Sequence, residues 1–239
     1  MNIKLSCIIL TLLLGYSSYS QDTINFKLFD SLKTKSEDSH KNVTTVPQNS
    51  GDSITIPIPL EPTNFDVRLF RSINNSRSPL KTKVLNTFDN SMLPVALMLP
   101  PSLFIYSRVK RNTYDENSAY LLFSSEFTNF AVTFGIKTFF KRARPLNALK
   151  NVHSKGMPIL DVYSFPSGHT STTFSIATLF ALRYPKYPQV YAPMYVWGFI
   201  IAYARPYFGM HYPSDLLAGA LIGTGSSVLL YSLRKELFR

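Results

Sequence analysis

Five apolar stretches, each as long as a helix, constrain the fold of this chain more than any other feature. They lie at about 91–107, 119–140, 168–184, 189–204 and 214–233. Apolar residues recur at helical spacing in several of them, and no strand alternation or internal repeat stands out. Residues 65–88 predict a further, amphipathic helix. We therefore predict an all-α fold, an up-down bundle of about five to six core helices.

These stretches are ambiguous as membrane spans, because a span needs about 20 apolar residues and about 17 is near the lower limit. Residues 214–233 come close, whereas residues 170–182 are short and rich in Ser and Thr. Glu126 and Asn129 interrupt the second stretch, and a carboxylate at that depth has to face other helices rather than lipid. We interpret the bundle as membrane-embedded, and the alternative is a soluble bundle with buried helices.

The first 20 residues are typical of a secretory signal. Lys4 precedes an apolar run over residues 5–14, and the small residues Ser18 and Ser20 offer a cleavage site before Gln21. The alternative is an uncleaved N-terminal anchor, and both interpretations place Gln21 on the far side of the membrane. The single cysteine of the chain, Cys7, lies within this segment, so a disulfide scaffold is excluded.

Residues 21–62 are polar and punctuated by proline, and we interpret them as a disordered tail or linker. Residues 63–239 are the predicted folded domain. The formal net charge of the chain is +11, and the positive charge belongs to that domain, because the tail holds more acidic than basic residues. A basic domain favours an anionic partner, and at this point nucleic acid, phospholipid and phosphate are all open.

A first motif, Lys137 to Arg144 followed by Pro145, ends the second apolar stretch. Seven residues make nearly two helical turns, so Lys137 and Arg144 lie on one face about 10 Å apart. Pro145 disfavours helix at the preceding residue and ends the helix there. The alternative is a solvated or headgroup-binding patch, since residues 137–155 hold six basic residues and no acidic one.

A second motif, Pro166-Ser167-Gly168-His169, opens the third apolar stretch. Proline and serine are frequent at helix starts, and the free N–H groups there bind anions. Gly168 lets a ligand approach the backbone closely. The alternative is an ordinary cap with an incidental histidine.

A third motif joins the fourth stretch to the fifth and contains Arg205, His211 and Asp215. His211 and Asp215 are four residues apart, within reach if a helix starts at Pro213. A carboxylate beside a histidine can hold its Nδ1–H and leave Nε2 free as a nucleophile. The alternative is a structural His–Asp pair at a helix start.

All three motifs fall at the same end of an up-down bundle, because they end the second stretch, begin the third and join the fourth to the fifth. Three cations, an open helix N-terminus and two histidines then converge on one pocket. Such a pocket suits a dense anion, a phosphoryl group, and nucleic acid drops out as a partner.

With these residues the chain resembles the type 2 phosphatidic acid phosphatase family, whose pattern is K-x6-R-P, P-S-G-H and S-R-x5-H-x3-D. All three motifs occur here in the right order, and the resemblance spans roughly residues 115–233. One position departs from the pattern: Ala204 stands where the family usually has serine. That change removes one possible hydroxyl contact at the edge of the site.

The resemblance implies phosphomonoester hydrolysis in two steps without a metal or other cofactor. It implies that His211 attacks phosphorus, that Asp215 orients His211, and that His169 protonates the leaving oxygen and then activates water. It further implies a phosphate cradle formed by Lys137, Arg144, Ser167, Gly168 and Arg205. His153 lies between the first two motifs, and we interpret it as a solvated loop histidine.

If Gln21 is external, the three motifs emerge on the external side, and the inner connections are rich in Lys and Arg, as cytoplasmic loops are. We therefore predict a phosphatase in the bacterial cell membrane with its active site facing the periplasm. Its predicted partners are the membrane and a lipid phosphate or pyrophosphate. Phosphatidic acid, phosphatidylglycerol phosphate, undecaprenyl pyrophosphate and lipid A phosphate are all open as substrates.

There are three alternative interpretations, of which the third belongs to a different functional class. The first is a secreted or periplasmic soluble acid phosphatase of the same superfamily. The second, a vanadium haloperoxidase, is disfavoured by the short chain and by the lipid-phosphatase-like run at residues 211–219. The third is a non-catalytic protein that binds anionic lipid, and it would need cations but not His169, His211 and Asp215 together. The residues do not predict an oligomeric state.

Overall fold

The computed structural model of the chain describes residues 64–155 and 162–237. Within these ranges the helices are α1 Phe65–Asn74, α2 Pro79–Lys110, α3 Thr113–Phe140, α4 Pro145–Ala148, α5 Gly168–Arg183, α6 Pro188–Tyr207 and α7 Pro213–Leu237. The described residues form no β-strand, so the predicted all-α fold is confirmed. The predicted signal at residues 1–20 and linker at residues 21–62 lie outside the described residues.

Four of the five predicted apolar stretches lie within α2, α3, α6 and α7, and the remaining one matches α5 except for its last residue, Tyr184. The predicted amphipathic helix is not one continuous helix. Residues 65–88 contain a break, since α1 ends at Asn74 and α2 begins at Pro79. The Ser78 side chain caps α2 by accepting from the backbone N–H of Lys81 at 3.2 Å. Proline is favoured just after such a cap, where its missing N–H costs no helical bond. The local cap signal therefore overrides the continuous amphipathic pattern.

Two glycines bring α5 and α7 into backbone contact. A Cβ added to Gly223 would lie 1.9 Å from the carbonyl oxygen of Ser171, and one added to Gly219 would lie 2.5 Å from that of Ser167. Small residues four apart allow such close approach between helices. The Ser167 N–H donates to the Asp215 carbonyl at 3.0 Å, so this seam fixes the second motif against the third.

Buried hydroxyl groups link three helices inside the bundle. Ser125 of α3, Ser175 of α5 and Ser227 of α7 lie 2.7 to 3.0 Å apart, Oγ to Oγ. The Ser227 hydroxyl also donates to the Ser175 carbonyl at 2.7 Å, so these side chains are hydrogen-bonded within the bundle. These three of the hydroxyl residues that lower the hydropathy of the apolar stretches therefore face inward.

The outer surface of the bundle is apolar. Phe123, Phe127, Phe130 and Phe134 follow one another along α3, and each is more than half exposed. By length and composition, α2 and α7 are each able to cross a membrane. The bundle therefore has hydroxyl groups inside and phenylalanine side chains outside. Soluble proteins show the opposite arrangement, since large exposed apolar patches are rare in them.

Helix α1 lies across the end of α6. The fully buried side chain of Asn74 donates from Nδ2 to the carbonyls of Pro206 and Tyr207 at 3.1 and 3.0 Å. Its Oδ1 accepts from the backbone N–H of His153 at 3.0 Å. Asn74 therefore ties α1 and the loop after α4 to the segment that carries Arg205 and His211.

Candidate active site

The three motifs meet at one end of the bundle, as the order of the helices predicts. Lys137 lies in the last turn of α3, Ser167 caps α5, and Arg205 lies in the last turn of α6. Two backbone bonds hold the loops together, from Ser164 to Arg142 at 2.8 Å and from Leu146 to Gly209 at 3.1 Å. The structure thus brings together residues separated by up to 78 positions in the sequence, from Lys137 to Asp215.

His211 is almost completely buried, and one hydrogen bond fixes its tautomer. Its Nδ1 lies 2.6 Å from the carbonyl oxygen of Ser164. A carbonyl can only accept, so Nδ1 carries the proton and Nε2 carries the lone pair. That lone pair lies 3.5 Å from Nη1 of Arg144. The imidazole therefore presents its nucleophilic nitrogen on a cationic side of the site.

Asp215 lies beside His211 but binds other groups. Its Oδ2 is 3.6 Å from Nδ1 of His211 and accepts from the Tyr212 N–H at 2.8 Å. Its Oδ1 accepts from Nη1 of Arg142 at 2.6 Å. The direct hydrogen bond to Nδ1, which the sequence assigns to Asp215, is made by the Ser164 carbonyl. At 3.6 Å, the Asp215 carboxylate lies close enough to the imidazole for an electrostatic interaction.

Arg142 and Asp66 are structural neighbours of the site that the sequence reasoning missed. The Arg142 guanidinium donates to Oδ2 of Asp66 at 2.6 Å as well as to Asp215, and it lies 4.1 Å from the centre of the Tyr212 ring. Asp66 also accepts from the Ser214 N–H at 2.9 Å. Asp66 is 76 residues from Arg142, so no local pattern could have paired them.

The predicted phosphate-binding cations are all buried at this end. Lys137 donates from Nζ to the Tyr163 carbonyl at 2.8 Å, and Arg144 donates from Nη1 to the Met210 carbonyl at 3.2 Å. Arg205 donates from Nη1 to Oδ1 of Asp89 at 2.7 Å. Burial strengthens the interaction of such cations with an anion, because the local dielectric is low.

The second motif supplies the open helix end. Ser167 caps α5, and its Oγ accepts from the Thr170 N–H at 3.4 Å. The N–H groups of Gly168 and His169 follow directly and have no intrahelical carbonyl to bind. Among the residues that the structure describes, a Cβ on Gly168 would come within 4 Å of the Thr133 methyl group alone, at 3.9 Å, so their packing does not require glycine there.

His169 lies within the same charge cluster. Arg205, Asp89, His211 and Arg144 all interact electrostatically with its imidazole. The two histidines of the motifs therefore belong to one charge cluster, which suits a division into nucleophile and acid.

Burial and three cations lower the pKa of His211 well below its usual range. Burial is the largest cause, followed by the charges of Arg205, Arg144 and Lys137. Each of them disfavours a positive imidazole. His211 is therefore neutral near pH 7, the state that a nucleophile requires.

His153 and Ala204 were singled out by the sequence, and both lie outside the charge cluster. His153 is exposed, as a solvated loop histidine is expected to be. Ala204 is fully buried in an apolar cluster with Leu85, Tyr207 and Phe208. The methyl group of Ala204 therefore packs in the apolar core.

Comparison with known proteins places these observations in a family. The family model of the PAP2 superfamily matches residues 118–239. The lipid A 1-phosphatase of Rhizobium johnstonii is 32% identical over 118 residues, which are 46% of this chain and 45% of the relative. The lipid A 4'-phosphatase of Bacteroides thetaiotaomicron is 36% identical over 76 residues, 31% of this chain and 33% of the relative. The chain thus spans less than half the length of these two relatives.

A solved structure agrees with the fold over a longer range. The crystal structure of Aquifex aeolicus LpxE superposes with a TM-score of 0.62 at 29% sequence identity. The match covers 72% of this chain and 98% of that one.

Proposed function

The chain belongs to the PAP2 superfamily, and from this premise we propose that it is a phosphatase acting on a lipid phosphate or pyrophosphate. The observation that carries the proposal is the state of His211. Its Nδ1–H is held by the Ser164 carbonyl, and its free Nε2 lies among buried cations that suit a phosphoryl group. The names of the two curated relatives, both lipid A phosphatases, support a lipid substrate.

In the first proposed step, Nε2 of His211 attacks phosphorus. A P–N bond forms while the bond from phosphorus to the lipid oxygen breaks, and His169, which enters the step protonated, gives a proton to that oxygen and becomes neutral. Lys137, Arg144 and Arg205 stabilise the charge on the phosphoryl oxygens, which is most of what a protein contributes to phosphoryl transfer. The hydrogen bond to Ser164 and the nearby Asp215 stabilise the positive imidazole that results.

In the second proposed step, His169 takes a proton from water, and the resulting hydroxide attacks phosphorus. The P–N bond breaks, inorganic phosphate leaves, and His211 returns to its neutral form. The two steps restore both histidines to their starting protonation states, so the cycle is balanced without any further reactant.

We propose that the protein acts in the bacterial cell membrane with this site on the periplasmic side. The exposed phenylalanines of α3 and the apolar lengths of α2 and α7 support membrane insertion. The ends of α2, α5 and α7 away from the site carry basic residues, including Arg108, Arg183 and Arg234. Positive charge at that end favours a cytoplasmic position for it.

The alternative, a secreted soluble acid phosphatase, is distinguished by extraction. Washed membranes treated with alkaline carbonate are expected to retain the protein in the pellet. Release into the supernatant would contradict membrane insertion while leaving the phosphatase chemistry open to separate measurement.

The activity is tested by phosphate release from the purified full chain in detergent. The substrates are lipid A, phosphatidic acid, phosphatidylglycerol phosphate, undecaprenyl pyrophosphate and the soluble p-nitrophenyl phosphate. We expect release from at least one lipid, unaffected by EDTA. No release from any substrate would overturn the proposed activity, and an EDTA-induced loss that Mg²⁺ restores would overturn the metal-free steps.

A further inference from the structure

Asp89 of α2 contacts Arg205 of the candidate site. It belongs to none of the three motifs and lies outside residues 118–239, which the family model matches. Its side chain is buried, and each of its oxygens accepts from a different cation. Oδ1 accepts from Nη1 of Arg205 at 2.7 Å, and Oδ2 accepts from Nζ of Lys155 at 3.1 Å. One carboxylate therefore joins α2, the end of α6 and the loop that precedes the second motif.

This ion pair sets the orientation of Arg205. With Nη1 bound to Asp89, the opposite edge of the planar guanidinium, formed by Nε and Nη2, remains as a two-donor fork. The Nε group is buried and has no hydrogen-bond partner among the described residues. A buried donor without a partner costs free energy, so its presence in a phosphate site points to a ligand oxygen as the partner.

Lys155 is held in the same place by two further contacts. Its Nζ donates to Oδ1 of Asn90, the neighbour of Asp89, and lies 5.2 Å from the centre of the Phe208 ring. Its side chain is only 10% exposed. Asp89 also interacts electrostatically with His169, so the Asp89–Arg205–Lys155 cluster borders the proposed acid.

We propose that Asp89 is a positioning residue that aims the Nε edge of Arg205 at the phosphate and holds Lys155 beside it. The inference rests on the proposed phosphatase function and names the residue that organises one side of that site. Asp89 itself does not touch phosphate, because a carboxylate would repel the anion. It acts through the two cations that it binds.

The test is the substitution Asp89→Asn in the full chain. Asparagine keeps the shape of the side chain and loses the charge that anchors both cations. We expect kcat/KM for the best lipid substrate to fall about 30-fold, and inhibition by inorganic phosphate to weaken about tenfold. Asp89→Glu, which restores the charge, is expected to recover part of both losses.

The matched control is Asp115→Asn. Asp115 is equally buried and accepts from the Tyr184 hydroxyl at 2.8 Å, but it lies at the other end of α3 from Lys137. We expect its kcat, KM and phosphate inhibition to match those of the wild type. A folded Asp89→Asn variant with unchanged kinetics, or an equal loss in Asp115→Asn, would overturn the inference.

If Asp89→Asn does not fold, Lys155→Met carries the test, since it leaves the Asp89–Arg205 bond intact. We expect KM to rise about threefold and phosphate inhibition to weaken, and unchanged values would overturn the inference. A wild type that releases no phosphate from any substrate overturns the proposed function itself. If the wild type is active and the folded variant has the same kinetics, only the positioning role of Asp89 is overturned.

Discussion

The two ends of the helical bundle both bury charged side chains, but they satisfy them differently. At the end away from the motifs, Arg183 donates to the Ser118 hydroxyl and to the Tyr114 carbonyl, both at 2.8 Å. Its guanidinium also lies 3.8 Å from the centre of the Tyr114 ring. Nearby, Asp115 accepts from the Tyr184 hydroxyl and from the Asn112 amide, each at 2.8 Å.

The motif end instead buries more positive than negative side chains. Among the residues that the structure describes there, Lys137, Arg144 and Arg205 are buried, against the carboxylates of Asp89 and Asp215. It also holds the buried Nε donor of Arg205. At the far end, the buried charged groups find their partners within the protein. At the motif end, we expect a bound anion to supply the remaining partner. Four predictions test this contrast.

The largest expected effect is the loss of turnover in His211→Ala. Removal of the attacking nitrogen is expected to lower kcat by at least about 10³-fold, as removal of a catalytic nucleophile does. Detergent-solubilised protein should keep its elution volume and helical content, because alanine at this position removes only the contacts of the imidazole with Ser164, Arg144 and Asp215. Phosphate release near the wild-type rate would exclude His211 as the nucleophile.

Arg144→Gln is expected to change both rate and pH dependence. Loss of one cation that binds the phosphoryl group should lower kcat/KM about 10²-fold. The charge of Arg144 helps to lower the pKa of His211, so its removal raises that pKa. Since His211 must be neutral to attack, the acidic limb of the kcat/KM profile should move to higher pH.

The measurement is kcat/KM from about pH 4 to 9 for both proteins, a window that includes the ordinary histidine pKa of about 6.5. In the wild type the acidic limb that belongs to His211 should lie below that value. An acidic limb that stays in place in the variant would show that Arg144 does not act on the titrating group.

Arg183→Met is the corresponding change at the far end, and it should separate stability from activity. It removes the hydrogen bonds that Arg183 donates to the Ser118 hydroxyl and to the Tyr114 carbonyl, although that carbonyl still accepts from the Ser118 hydroxyl at 2.8 Å. We expect a loss of about 1 to 3 kcal/mol in the free energy of unfolding. The rate per folded molecule should stay within about twofold of the wild type, since far-end changes leave the site intact. A thermal unfolding curve and an active-site titration test this, and a large loss of kcat in folded protein would contradict the contrast.

Glu116→Gln is expected to have the smallest effect. Glu116 pairs with Arg108 at 3.3 Å, but the Arg108 side chain is 65% exposed. Such surface pairs contribute about 0 to 1 kcal/mol, so neither the unfolding midpoint nor kcat should change measurably. A pronounced loss of stability would mean that the far end depends on surface charge as well as on its buried bonds.

Residue spacing and element order were enough to predict the five long helices and the convergence of three motifs. Both depend on local periodicity and on the alternation of direction in a bundle. The sequence also placed Lys137, Arg144, His169, Arg205 and His211 in one cluster, and the structure brings them together.

The contacts that hold this cluster could not be predicted in the same way. Asp89 is 116 residues from Arg205, so their ion pair depends on how α2 packs against α6. The partner of Nδ1 in His211 is a backbone carbonyl 47 residues away, and a carbonyl leaves no mark in the residue type of Ser164. The break between α1 and α2 was predictable from Ser78 and Pro79, a cap signal that the wider amphipathic pattern concealed.

The most direct test of the proposed chemistry is to trap the covalent intermediate. Purified wild-type protein is mixed with a lipid phosphate labelled on phosphorus, quenched in alkali at short times, and digested to locate the label. A P–N bond survives alkali and is lost in acid, so we expect acid-labile label on the peptide that contains His211. His211→Ala should carry none. Repeated turnover by the wild type without label on His211 at any quench time would contradict the account.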